Sequence, residues 1–233
     1  MSDIFDEVDE DLRADRTKQL LQRYGWLLVV AALAVIAATG AWQGWKYFQS
    51  REAVKYSALY LAAMHDAEAA GQPGAPASAG AAASAGFATV AANAGPGYRT
   101  LARLQAAALA AEAGQRDKAL ALWDQVATDS AADPLLRDVA TLHWGLIQLD
   151  SPNLQPGAQF DAGLADRIAA RLKPLLDPTN PFKTLADEGL GLLAMRRGDP
   201  AAARVIFKRV AQDVTAPQGV RGRANGLLAQ LGS

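Results

Sequence analysis

The sequence predicts an all-α chain in which a single N-terminal transmembrane helix is followed by a helical-hairpin solenoid. Three observations carry that prediction. One uncharged apolar run of bilayer length lies near the N-terminus. The rest is cut by Pro and Gly into helix-length pieces, with no run of alternating β-branched residues to build a sheet. Two of those pieces repeat each other's spacing.

The apolar run spans 24–48, and between Gly25 and Trp45 its only polar side chains are Thr39 and Gln43. At ~1.5 Å per residue such a helix is roughly 30 Å long, the thickness of the hydrocarbon core of a bilayer. Tyr24 and Trp26 mark one end, and Trp42, Trp45, Tyr47 and Phe48 mark the other, as an aromatic belt would. Arg23 and Lys46 close the ends as snorkelling charges. A cleaved signal peptide fits less well, because the acidic 1–23 segment is not a basic n-region and the run ends in Trp rather than at a small-residue cleavage site. Arg13, Arg16, Lys18 and Arg23 before the run outnumber Lys46, Arg51 and Lys55 after it. The positive-inside rule then keeps 1–23 in the cytoplasm as an acidic tail and exports the long C-terminal part.

About 185 residues follow the run, enough for one domain with a real core. The net charge of −1 gives no bulk attraction to nucleic acid. The absence of cysteine excludes disulfides, thiol catalysis and zinc–thiolate sites.

Along the chain, 49–70 continues in helical composition, with Val54, Ala58, Leu61 and Ala62 at helical spacing, and reads as a helical stem. The segment 71–97 is rich in Ala, Gly and Pro and reads as a linker containing a short helix. The repeat domain occupies 98–233. Its Pro and Gly punctuation predicts helices over 98–113, 117–130, 134–149, 161–176, 181–197, 200–213 and 217–231, several opened by a Pro whose missing N–H would be unpaired in a first turn anyway.

Within it, Gly114 and Gly198 serve as origins of a repeat. Sixteen residues before each stands an aromatic (Tyr98, Phe182), followed by Leu101-Ala102 and Leu185-Ala186. After each glycine come Ala119, Trp123 and Val126 in one copy and Ala203, Phe207 and Val210 in the other, at identical offsets. This frame describes a helix–turn–helix: Gly closes the first helix, Ala sits where two backbones approach, and the aromatic fills the groove to the next hairpin. It matches the ~34-residue tetratricopeptide unit, and the domain is expected to stack three or four such hairpins.

The acidic tail, single anchor, Ala-rich linker, "GYRTLARLQAAALAAEAGQRDKALALWDQV", "DPLLRDVATLHWGLI" and the stretch from "NPFKTLADEG" to "RANGLLAQLG" together resemble the YfgM-like tetratricopeptide family. These are bacterial inner-membrane proteins described as ancillary subunits of the SecYEG translocon. The resemblance implies a single-pass inner-membrane protein with a periplasmic repeat domain, and protein partners drawn from the Sec translocon, periplasmic chaperones or exported clients. It carries no catalytic motif.

The residues themselves point the same way. HExxH, GxSxG, P-loop and GxGxxG patterns are absent, and the two histidines, His65 and His143, lie far apart without ligand partners at helical spacing. No enzyme, cofactor, metal or small-molecule substrate is expected, and His143 reads as a partly buried core residue. In hairpin stacks the first helices line the concave face, so Arg99, Arg103, Gln105, Glu112, Lys183, Asp187, Glu188 and Arg196, off the core stripe of their helices, are the candidate partner-binding residues. The basic C-terminal third, Arg196 to Arg223, is read either as a solvated face or as a surface for acidic partners. Gly40 and Gly44 form a GxxxG, either incidental or a contact with another membrane helix. Two functions compete: a membrane-anchored module accessory to the translocon, and a scaffold of the same fold serving envelope assembly or division.

Overall fold

The computed structural model describes residues 3–155 and 160–232, without the side chains of 3–25, 28, 48, 49 and 77. Nine α-helices and two 3-10 turns are present among the described residues, with no strand. The chain divides into two compact units, Met1–Val54 and Lys55–Ser233.

Helix α1 (Asp3–Ala70) supplies the first unit and opens the second. Among the described residues no helix is long and apolar enough to cross a membrane. The expected span includes Tyr24, Gly25, Leu28 and Phe48, whose side chains lie outside the described set, as do those of the acidic tail. The described side chains of the run are exposed, among them Trp26, Val29, Leu33, Ile36, Trp42 and Trp45.

The second unit is built from hairpins. In the first, the end of α1 packs against α2 (Ala77–Asn93), burying Ala63 against Ala83, Phe87 and Val90. The two helices approach so closely that a Cβ added at Gly86 would stand 2.7 Å from that of Ala63. The Tyr60 ring meets Phe87 edge-on at 5.6 Å. The linker expected over 71–97 is therefore mostly helix. Its Ala-rich composition favours helix once Phe87 and Val90 give it a face to bury.

The second hairpin is α3 (Pro96–Glu112) with α4 (Arg116–Thr128), and the fourth is α7 (Lys183–Arg196) with α8 (Pro200–Gln212). Both turns are Schellman closures. Gly114 and Gly198 each take φ 72°. The next N–H reaches back to Ala110 at 2.8 Å in one copy and to Ala194 at 3.0 Å in the other. Glycine is required there because a side chain at that φ is strained. Between them, α5 (Pro134–Leu149) and α6 (Ala162–Leu172) form the third hairpin, whose connection includes a 3-10 turn at Pro152–Leu154. Asp133, Asp161 and Asp199 cap α5, α6 and α8 through their carboxylates. Pro174 stops α6, and the chain tightens into a 3-10 turn over Lys173–Leu176. Helix α9 (Gln218–Gln230) closes the stack.

The observed helix ends fall within two residues of the expected ones, except that α6 stops at Leu172. The repeat frame holds in packing as well. Ala119 and Ala203 are fully buried, and Trp123 and Phe207 both sit in core clusters with the following helix. Trp123 packs with Ala140 of α5, and Phe207 with Val220 and Ala224 of α9.

Candidate interaction surfaces

The candidate partner-binding residues divide sharply by burial. Helix α7, expected to line an open face, has α5, α6, α8 and α9 packed around it. Asp187 and Glu188 are only 3 % and 6 % exposed. Arg209 of α8 donates to Asp187 at 2.5 Å, and Arg223 of α9 grips Glu188 through both oxygens at 2.6 and 2.7 Å. Donating these hydrogen bonds to Glu188 raises the pKa of Arg223 further. These acids are internal ties rather than partner contacts. A residue off the apolar stripe is buried here because α9 covers a second side of α7.

Arg99 and Arg103 of α3 are likewise engaged, both donating to Asp129 just beyond α4, at 3.3 and 3.1 Å. Lys183 stands 3.6 Å from Asp213, just beyond α8. Arg99 and Lys183 lie fifteen residues before their turn glycines, and Asp129 and Asp213 fifteen after. The repeat thus includes a polar clamp at the end of each hairpin opposite its turn. The Ala131 amide, with Arg99 and Arg103 adding to it, holds the Asp129 carboxyl below the ordinary carboxylate range against the opposing effect of burial. Thr215, through its hydroxyl and amide, and then Lys183 do the same for Asp213, again against burial.

The basic C-terminal third is mostly consumed in the same way. Arg196 donates to Gln155, Arg197 to Asp166, and Arg204 to the carbonyls of Leu231 and Gly232. Lys208 and Arg221 make no ion pair among the described residues. A continuous basic docking face is not what these residues build.

Gln105 is half-buried, and Glu112 is the exposed member of the set. Glu112 lines a slot of about 560 Å3 between α2 and the α3–α4 turn. Gly80, Ala81 and Ser84 form one wall, Leu109 and Ala113 the other, and Gln115 and Lys118 complete the rim. Small walls leave room for a backbone, while a carboxylate, an amide and an ammonium stand free to pair with it. Sequence reasoning missed Gly80, Ala81 and Ser84 because it left them in a linker. The signal was there: Ala83, Phe87 and Val90 reproduce the Ala–aromatic–Val spacing of the other two copies.

A second, shallower groove of about 480 Å3 lies between α4 and α6, lined by Leu120, Ala121, Trp144 and Ala170. Arg171 fills part of it, its guanidinium 4.1 Å from the Trp144 ring centroid and paired with Asp124. His143 stacks on Trp123 at 5.4 Å and is more exposed than expected of a core residue. Loss of hydration still lowers its pKa. Among the described residues, a Cβ added at Gly40 or Gly44 would meet nothing within 4 Å beyond its own turn of helix. No group of His, Cys, Asp or Glu able to hold a metal occurs among the described residues.

Paired helices with Gly-closed turns, Ala at the crossings and an aromatic against the next pair define a helical-repeat scaffold, a class that presents surfaces to other proteins. A family profile described as a tetratricopeptide repeat-like domain matches residues 18–227, and the chain belongs to that family. No curated protein and no solved structure matches it. Tetratricopeptide-like repeat domains generally serve as non-enzymatic scaffolds for protein interaction.

Proposed function

We propose that the chain is a membrane-anchored interaction module of the bacterial inner membrane, accessory to the Sec translocon. Its repeat domain faces the periplasm and holds extended segments of exported proteins, or chaperones that receive them, in the slot between α2 and the α3–α4 turn. The observation that carries this reading is the slot itself, with small walls and the free charges of Glu112 and Lys118 on its rim. Its mixed charge suits weak, broad recognition of polypeptide rather than one charged ligand.

Two facts support the anchor over 24–48. A helix carrying Trp26, Val29, Leu33, Ile36, Trp42 and Trp45 in the open is poorly suited to water. The family match begins at residue 18, so it encloses the run. Anchoring confines the module to two dimensions and raises its effective concentration at membrane partners. The translocon assignment rests on the resemblance of the sequence to the YfgM-like family.

The test uses the cysteine-free chain. A photo-crosslinker placed at Ala81 in intact membranes is expected to capture translocon components, chaperones or exported chains, and Ser84→Trp is expected to abolish capture. Capture of only envelope-assembly or division proteins would replace the translocon role with the scaffold role. Capture unaffected by Ser84→Trp would remove the slot. Release of the protein by alkaline carbonate would remove the anchor.

A further inference from the structure

Helix α9 carries more glycine than its packing uses. It contains Gly219, Gly222 and Gly226, and none is needed for packing: a Cβ at Gly222 or Gly226 would meet nothing within 4 Å, and one at Gly219 only the tip of Arg223 at 3.9 Å. In α7, by contrast, Gly191 lies against Phe207 and Gly189 against Leu146. Of the α9 glycines, Gly222 and Gly226 are interior, and each lowers helix formation about fivefold relative to alanine. No side chain caps the start of α9 and no acidic residue stands in its first turn, so its dipole is supported only at the far end, where Arg204 of α8 donates to the carbonyls of Leu231 and Gly232. Only Val220 and Ala224 are fully buried, with Leu227, Leu228 and Leu231 partly so.

Beneath α9 lies a well-formed surface. Phe207, Val210 and Ala194 are buried under it, with Leu185, Leu192 and Met195 at the margins. Glu188 stands in the same face, its carboxylate 8 % exposed and gripped by Arg223 alone. A buried carboxylate demands a cation. The face therefore reads two features of a helix at once: apolar residues at the spacing of Val220, Ala224 and Leu227, and a basic residue next to the stripe.

We propose that the α7–α8 face is a docking groove for an amphipathic helix that carries a basic residue aligned with Glu188, and that α9 is its resident, displaceable occupant. The chain's own helix competes at high effective concentration, and its three glycines weaken that competition. This groove is distinct from the slot beside α2, and Ser84→Trp is expected to leave it untouched, so the two readings fail separately.

The test uses the full chain in detergent micelles. The probe is a labelled synthetic 218–230 peptide carrying Gly219→Ala, Gly222→Ala and Gly226→Ala. Amides of α9 are expected to exchange with deuterium at least about tenfold faster than those of α8, as local opening requires. The probe should bind, and Arg223→Glu within the probe should weaken binding at least about tenfold. The same three substitutions placed in the chain, all at open positions, should slow α9 exchange and exclude the probe. Equal protection of α8 and α9, or binding insensitive to both changes, would overturn the proposal. Concentration-dependent dimers that the probe does not dissociate would assign the groove to α9 of a second copy and overturn it as well.

Discussion

Gly191→Ala is expected to destabilise the protein although it adds a better helix former. A Cβ at this position would stand 2.5 Å from Cε1 of Phe207 and 2.8 Å from Cζ, about an ångström inside ordinary contact. The ring is fully buried and packed between Ala194, Val220 and Ala224, so it has no free direction in which to swing. Helices α7 and α8 must separate instead. Overpacking of this kind costs roughly 1–3 kcal/mol. Replacing Gly by Ala within a helix returns about 1 kcal/mol. The net loss is therefore up to about 2 kcal/mol, or a fall in Tm of up to roughly 8 °C for a domain of this size. Position 107, seven residues before the other turn glycine as 191 is before its own, holds Ala in the same cluster as Trp123, so the clash is specific to the fourth hairpin. Urea denaturation of the chain in detergent, read as a shift in midpoint at constant m, measures the loss. Phe207→Leu should lose stability alone but recover part of it when combined with Gly191→Ala. A stabilised Gly191→Ala variant, or strict additivity in the double variant, would refute the close-approach reasoning.

Trp123→Ala should cost about 3–5 kcal/mol, since the indole is buried between α4 and α5, and thermal melting checks it. Arg223→Ala should lose more stability than Glu188→Ala, by about 1–3 kcal/mol, because it strands a buried carboxylate whereas the reverse change leaves a guanidinium already 57 % exposed. The His143 pKa is lowered by loss of hydration, so its contribution is fully present above the unfolded value near 6.5 and is lost as pH falls through the lowered folded value. The drop in melting temperature below pH 6.5 should flatten in His143→Phe.

Pro and Gly made most helix boundaries legible, and the offsets from Gly114 and Gly198 revealed the hairpin and its buried aromatic before any contact was known. The first hairpin was not read because α2, "ASAGAAASAGFATVAAN", has no charge and little bulk, so composition outweighed the spacing of Ala83, Phe87 and Val90. Asp187 and Glu188 were misread for a different reason. Their partners Arg209 and Arg223 lie 22 and 35 residues away on two other helices, and only the placement of α9 turns that side of α7 inward. The clamps formed by Arg99 with Asp129 and Lys183 with Asp213 were within reach of the sequence, because the repeat frame places them at the same register.

Those clamps bear on the order in which the chain acquires structure. Arg99 and Asp129 are separated by 30 residues and meet at the open end of one hairpin, opposite its turn, so its turn and its clamp close without any residue further downstream. Contacts this local keep the loop-closure entropy small and favour rapid folding. A chain emerging N-terminus first, from a ribosome or a pore, can complete the α3–α4 hairpin while the remainder is still threaded, and each finished hairpin offers a template to the next. Helix α7 is the exception. Its buried Glu188 waits for Arg223, 35 residues further on, so the α7–α8 hairpin stays open to whatever stands nearby until α9 has followed it.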